Sequence, residues 1–463
     1  MVGLGTMGRN LVYNLADHGF SVAGFGRSQD RVTELHRQAG NLPVHGFTDP
    51  EAFVRNLKAP RAIILLVPAG KPVDDVIHEL TPLLSEGDLL IDGGNSYYKD
   101  TERRVTELEA MGIGFFGMGV SGGEEGARHG PSMMPGGTEK VWEGVRPMLE
   151  AVAAKAEDGL PCVDLVGPGG SGHYVKTVHN GIEYGIMQLI AEVYDAMHRA
   201  HGMSNHAIAE AFAKWDQGVL RSFLVQITHE VLTVKDEASG KDLVDLISDK
   251  AKQKGTGKWT SQDAMDLGVP IPTIDAAVAA REMSGLKAER EKAEKLYSPA
   301  LHHEASTEQE LHDALYAATI LTYAQGFSQL GAASAEYGYH LELGKVAKIW
   351  RAGCIIRSAF LQTIMDAFGR DPALPNLLLD AEVAKILSGL EGSLRKVVAR
   401  LTLAGLPCPA LAASLGYFDG FRTGRLPANL IQAQRDYFGA HTYERLDQPG
   451  VFHTKWAEAA EHE

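Results

Sequence analysis

The chain has 463 residues, 44% apolar and 22% charged, which excludes disorder as its main state and leaves room for two to four domains of about 100–200 residues. Lys and Arg number 44 against 59 Asp and Glu, a formal charge of −15, so neither a nucleic-acid backbone nor an anionic membrane is an expected partner. A small anionic substrate stays compatible, because a few clustered cations can override the mean field.

Residues 1–169 alternate short apolar runs with amphipathic helical patterns. Strands are expected at residues 21–25, 61–67, 88–92, 114–117 and 163–166. The run AIILLV is continuously apolar, as a strand covered on both faces must be. This alternation predicts an α/β domain, a Rossmann-like doubly wound parallel sheet. At its start Gly3-Leu4-Gly5-Thr6-Met7-Gly8 is a GxGxxG followed by a helical pattern. Gly3 suits a tight turn, Gly5 a close approach of pyrophosphate to backbone, and Gly8 close helix–strand packing. Only Met1 and Val2 precede it, so the first strand is expected to be unusually short or its start clipped. The second strand ends Phe25-Gly26-Arg27-Ser28 with no carboxylate at its tip. A guanidinium and a hydroxyl suit a 2′-phosphate, so NADP is expected over NAD.

Two further glycine-bearing loops follow strands, where open α/β sheets bind ligands. They are Asp92-Gly93-Gly94-Asn95-Ser96 and Val120-Ser121-Gly122-Gly123-Glu124-Glu125-Gly126. Either can be an ordinary turn or a cradle for a carboxylate. The cluster GPGGSG at residues 167–172 marks a boundary.

From His173 to about residue 420 the period is 3.6 and no strand is expected, which predicts an all-α domain. On its first helix Val175, Val178, Ile182, Ile186, Leu189 and Val193 form an apolar face. Lys176, His179, Asn180 and Glu183 fall beside it at i, i+3, i+4 and i+7, a stripe two turns long. An amine and a carboxyl there can serve one bound molecule as base and acid. The plain alternative is a solvated polar face. Gln253-Lys254-Gly255-Thr256-Gly257-Lys258-Trp259 is a basic loop without Walker A spacing, either a phosphate site or solvated charge. The last 40 or so residues are expected to form an irregular tail, whose Tyr437, Phe438, Tyr443 and Phe452 need a surface on their own or another subunit.

Cys162, Cys354 and Cys408 lack CxxC or CxxH spacing and are expected as reduced, buried thiols. No HExxH motif or carboxylate cluster points to a metal. No apolar run reaches the roughly 18 residues that span a bilayer, no secretory signal is recognised, and the expected compartment is the cytoplasm.

Taken together, GLGTMG, DGGNS, GVSGGEEGARHGPSMMPGG, GHYVKTVHNGIEYG, QKGTGKWT and QAQRDYFGAHTYE resemble the decarboxylating 6-phosphogluconate dehydrogenases over nearly the whole chain. The resemblance implies oxidation of 6-phospho-D-gluconate at C3 by NADP, loss of CO₂ and release of ribulose 5-phosphate, without a metal, in the pentose phosphate pathway. It implies that Lys176 is the general base, then the acid on the C3 oxygen, and that Glu183 protonates C1 of the enediol. Asn95, Ser121, Gly122, Gly123, His179 and Asn180 would hold the carboxylate and hydroxyl end of the substrate. Tyr184, Lys254 and Arg281 would hold its phosphate, with Arg435 and His441 arriving from the tail of a second subunit. The cofactor would contact Gly3, Leu4, Gly5, Thr6, Met7, Gly8, Arg27, Ser28, Val67, Pro68, Ala69 and Asn95. The implied organisation is a dinucleotide-binding domain (1–169), a helical substrate and dimerisation domain (170–423) and a tail reaching the partner of a homodimer (424–463). The chain departs from the family at Gly5, where many members carry Ala, and at Pro68, where many carry Lys. A non-decarboxylating β-hydroxyacid dehydrogenase shares the glycine-rich start and a catalytic Lys, but it is typically shorter and needs neither Glu183 nor the tail.

Overall fold

A computed structural model describes residues 1–297 and 304–460. Residues 298–303, inside the stretch expected to be helical, and 461–463 of the tail lie outside it. The chain forms two compact units, Met1–Leu415 and Gly416–Glu463.

The first unit opens on a sheet built from β1 (Val22–Phe25), β2 (Val44–Phe47), β3 (Ala62–Leu65), β4 (Leu89–Asp92), β5 (Gly114–Ser121) and β6 (Ser132–Gly136). Pairing is parallel for β1–β2, β3–β4 and β4–β5. At the start of the sequence Val2 makes isolated parallel bridges to Phe25 on one side and Leu65 on the other, and so joins β1 to β3. Two findings depart from the sequence expectation. β5 runs on to Ser121 and pairs antiparallel with β6, so the sheet is mixed rather than wholly parallel. The expected strand at 163–166 contributes only isolated bridges, Met133 to Val163 and Gly136 to Gly167.

Helix α1 (Thr6–Asp17) follows the glycine loop, α2 (Lys71–Leu80) follows β3 and α3 (Tyr98–Glu109) follows β4. Apolar clusters fill both faces of the sheet: one contains Leu11, Val12, Leu15, Ile91 and Phe116, the other Phe25, Phe53, Ile63, Leu65, Leu90 and Phe115. That two-sided cover explains why β3 and β4 read as unbroken apolar runs.

The remainder of this unit is mostly helical. Its centre is α4 (Ser171–Asp195), packed against α5 (Thr256–Asp266), α6 (Pro272–Gly285) and α7 (Glu308–Glu336), with α7 backed by α8 (Ala381–Leu403). α4 also lies on β5, close enough that a Cβ at Gly119 would stand 2.4 Å from Cβ of Lys176. That contact positions the site, because it brings the polar stripe of α4 onto the carboxyl end of the sheet. α7 is mostly buried between Leu311 and Leu330, and among the described residues no helix is long and apolar enough to cross a membrane.

The second unit is more ordered than an irregular tail. It contains α9 (Ala428–Gly439) and a two-stranded hairpin, β7 (Tyr443–Glu444) with β8 (Val451–Phe452). Asp436 organises it. Its buried carboxylate accepts from Thr442 N at 2.9 Å, Thr454 N at 3.0 Å, His453 Nδ1 at 2.9 Å and Trp456 Nε1 at 2.8 Å. Four donors on one carboxylate hold its pKa well below the usual range.

Candidate active site

The stripe of α4 is buried, not a solvated face. Lys176, His179 and Asn180 are 5%, 0% and 6% exposed, while Glu183 is partly open. Lys176 Nζ lies 3.2 Å from His179 Nδ1, and the same nitrogen is 2.9 Å from Asn180 Oδ1. On the other edge of the ring, His179 Nε2 meets Ser121 Oγ at 3.0 Å and Cys354 Sγ at 2.9 Å. Ser121 Oγ in turn accepts from Ile355 N at 3.2 Å, and Trp350 packs edge-on against the imidazole with centroids 5.6 Å apart. The end of β5 is thus stitched to α4 through one histidine.

Electrostatics follow from that burial. Desolvation pulls the Lys176 amine below its ordinary pKa, against the opposing pull of Glu183. Desolvation pushes the Glu183 carboxyl up, against Lys176 and Arg281. His179 falls well below its usual value through burial and the Lys176 charge, so its ring is neutral. The amine and the carboxyl of the stripe are therefore shifted toward one another, an arrangement that suits general acid–base chemistry.

One turn on, the Arg281 guanidinium lies 3.4 Å from the centroid of the buried Tyr184 ring. Lys254 is exposed in the loop that runs into α5. Gly257, in the first turn of α5, packs so closely that a Cβ there would stand 2.5 Å from the Tyr184 ring. A cationic end therefore faces the carboxyl end of the stripe. Asn95 is exposed after β4, the strand next to β5, so its loop and the Ser121–Gly123 loop leave the same edge of the sheet.

The glycine loop has the shape of a phosphate cradle. Gly3 has φ +98°, and a Cβ there would stand 2.3 Å from Leu66 O; one on Gly8 would stand 1.9 Å from Gly3 O. Gly5 caps α1 without any side-chain hydrogen bond, and nothing lies within 4 Å of where its Cβ would be. Free N–H groups at a helix start beside open space fit a pyrophosphate. A groove of about 600 Å³ continues from this loop, lined by Gly3, Leu4, Arg27, Ser28, Arg31, Val67, Pro68, Asp75 and Glu79.

Known proteins resemble this chain along nearly their whole length. A family model described as the NAD binding domain of 6-phosphogluconate dehydrogenase matches residues 1–167, and one described as the 6-phosphogluconate dehydrogenase C-terminal domain matches residues 172–456. The chain is 51% identical over 461 residues to the NADP(+)-dependent, decarboxylating 6-phosphogluconate dehydrogenase of Bacillus subtilis, covering 98% of each. It is 49% identical over 467 residues to the decarboxylating enzyme of Synechococcus elongatus, again covering 98% of each. The 6-phosphogluconate dehydrogenase of Plasmodium falciparum, solved apo and with NADP+ or 6-phosphogluconate, superposes with a TM-score of 0.95 at 43% identity, over 98% of this chain and 99% of that one. The chain belongs to the 6-phosphogluconate dehydrogenase family.

Within that family frame the two departures differ: Gly5 has open space around it, whereas Pro68 leaves its part of the groove without a cation. The open space at Gly5 would accept the Ala of other 6-phosphogluconate dehydrogenases. Pro68 lines the groove without a charge, and the nearby Lys71 is exposed and paired with Asp75 at 2.5 Å. Arg435 and His441 belong to the second unit. Arg435 is exposed on α9 and donates to Gln432 Oε1 at 3.0 Å; His441 is exposed and packs edge-on against Phe438, with centroids 6.1 Å apart.

Some residues support the site through contacts that sequence spacing does not show. Asp92, fully buried, accepts from Gly94 N at 3.0 Å and Ser96 Oγ at 2.6 Å and lies 3.4 Å from the buried Arg104, so it sets the loop that presents Asn95. Cys354 reaches His179 from 175 residues away, and burial raises its thiol to about 11, so it is a neutral contact. Arg31 and Glu79 join Arg27 in the groove; only the i, i+4 spacing of Arg27 and Arg31 could have pointed to the first.

Proposed function

We propose that the chain catalyses the oxidative decarboxylation of 6-phospho-D-gluconate to D-ribulose 5-phosphate and CO₂ with NADP, through Lys176 and Glu183. The observation that carries the reading is their oppositely shifted proton affinities on one helix, beside a buried Ser121–His179–Asn180 network and a cationic end at Arg281. The Gly3–Gly8 loop would hold the pyrophosphate of NADP and Arg27 and Ser28 its 2′-phosphate, and the bound cofactor would supply the acceptor for the C3 hydride.

Neutral Lys176 takes the C3 hydroxyl proton as that hydride leaves, which gives a β-keto acid. Lys176, now an ammonium, returns the proton to the C3 oxygen while the bond to the carboxylate carbon breaks and its electrons form the enediol. Glu183 then protonates C1 of the enediol, and Lys176 takes back the hydroxyl proton as the ketone forms. Asn95, Ser121, Gly122, Gly123, His179 and Asn180 orient the carboxylate and hydroxyls. Tyr184, Lys254 and Arg281 hold the phosphate.

The reading includes a homodimer in which Arg435 and His441 of one subunit complete the phosphate site of the other. In support, α9 exposes four large apolar side chains, Leu430, Ile431, Tyr437 and Phe438, at 62%, 59%, 63% and 73%, which a partner surface would cover. NADP reduction with 6-phosphogluconate, with CO₂ measured in parallel, tests the activity. One CO₂ per NADPH is expected; NADPH without CO₂ identifies a non-decarboxylating β-hydroxyacid dehydrogenase.

A further inference from the structure

The groove beside the glycine loop holds a charge arrangement that the reaction does not require. Arg27, at the tip of β1, donates from Nη2 to Glu79 Oε2 at 2.9 Å, and Glu79 lies on α2, 52 residues along the chain. The Arg27 side chain is 71% exposed and that of Glu79 28%, so the carboxylate is the better anchored member. Arg31 and Asp75 line the same groove. Two cations therefore face two carboxylates where a 2′-phosphate is to be received. Asp75 already has a cation of its own in Lys71 at 2.5 Å, whereas Glu79 spends its charge on Arg27.

We propose that Glu79 is a specificity-determining residue that weakens the preference for NADP over NAD by competing with the 2′-phosphate for Arg27. The inference rests on NADP occupying this groove. A 2′-phosphate must displace Glu79 from the guanidinium or share it, and in either case two anions are brought close together. A ribose 2′-OH bears no charge and can donate to a carboxylate. Glu79 thus taxes NADP and spares NAD, a repulsive element acting on one ligand of a pair.

Equilibrium titration of the apoprotein with 2′,5′-ADP and with 5′-AMP tests this without turnover, since the two probes differ only in the 2′-phosphate. Glu79→Gln should tighten 2′,5′-ADP by about three- to fivefold and leave 5′-AMP within about twofold, the upper part of the range expected for a solvent-facing ion pair. Glu79→Lys should do more. The gain should shrink as ionic strength rises and be smaller in an Arg27→Ala background, where the competition is gone and only direct repulsion remains. An unchanged or smaller ratio of the two affinities in Glu79→Gln overturns the proposal, as does an equal gain with and without Arg27. A wild-type protein that binds 2′,5′-ADP no better than 5′-AMP overturns the cofactor reading beneath it, which separates that failure from the failure of Glu79.

Discussion

Lys176 Nζ stands 3.2 Å from Nδ1 of His179, and that nitrogen is also 2.9 Å from Asn180 Oδ1. An acceptor oxygen calls for a proton on Nδ1. With Nδ1 protonated, the Lys176 nitrogen can only accept, and only a neutral amine has a lone pair to do so. Nε2 is then free to accept from the Ser121 hydroxyl or the Cys354 thiol, and the burial that keeps His179 neutral agrees. One hydrogen-bond pattern thus ties the lysine to a histidine whose tautomer decides whether the amine accepts or donates.

Replacing Lys176 by Met should lower kcat by at least about 10²–10⁴-fold, because one group serves as base and then as acid. Binding of NADP, measured by titration, should be nearly unchanged. The same change removes a desolvated amine from the core, so the thermal midpoint should rise. A variant within tenfold of wild type would remove Lys176 from the role.

The pH profile should be bell-shaped. Lys176 must be neutral to take the C3 proton, so the rate falls as pH drops through its lowered pKa. Glu183 must be protonated to deliver to C1, so the rate falls as pH rises through its raised pKa. Both limbs should therefore lie inside the interval between ordinary Glu and Lys values, about 4.3 to 10.4. Stability follows the same shifts. For Lys176 the unfolded chain binds more protons between the lowered and the ordinary value, so that group makes stability rise with pH across the window; Glu183 does the opposite across its own.

Glu183→Gln isolates the late step. Solvent hydrogen exchange at C1 of added ribulose 5-phosphate should slow by about 10²-fold or more, with substrate binding retained. Exchange at the wild-type rate would assign the proton to another group.

Much of the site was legible because it is local. Lys176, His179, Asn180 and Glu183 share one helix, so their spacing alone places them on a stripe. Gly3 to Gly8 and Arg27 lie within one strand–helix–strand unit. What the spacing could not tell is burial, which turns a polar stripe into a site with shifted proton affinities. Non-local contacts were equally silent: Cys354 on His179, and Glu79 on Arg27, are made by sheet order and helix packing. β2 hid because His45 and Gly46 interrupt its apolar pattern, and β6 because Pro135 argues against a strand. The tail read as irregular because its order comes from Asp436, whose four partners are scattered from Thr442 to Trp456 and follow no period.

Arg435 and His441 are exposed in a unit of their own, next to the uncovered Tyr437 and Phe438. A sugar phosphate needs several cations at once, and a chain of net charge −15 supplies them only by converging segments. If those segments come from two subunits, each site of a dimer is composite. Lys176→Met and Arg435→Ala would each be inactive alone. In a mixed dimer, one site combines both defects and the other combines Lys176 of one chain with Arg435 of its partner, so it is wild type. Equal mixing with free exchange gives mixed dimers half the time, so activity should recover to about a quarter of wild type. Native mass spectrometry verifies the exchange. Mixed dimers that form and stay inactive would place Arg435 in the site of its own subunit, or in none.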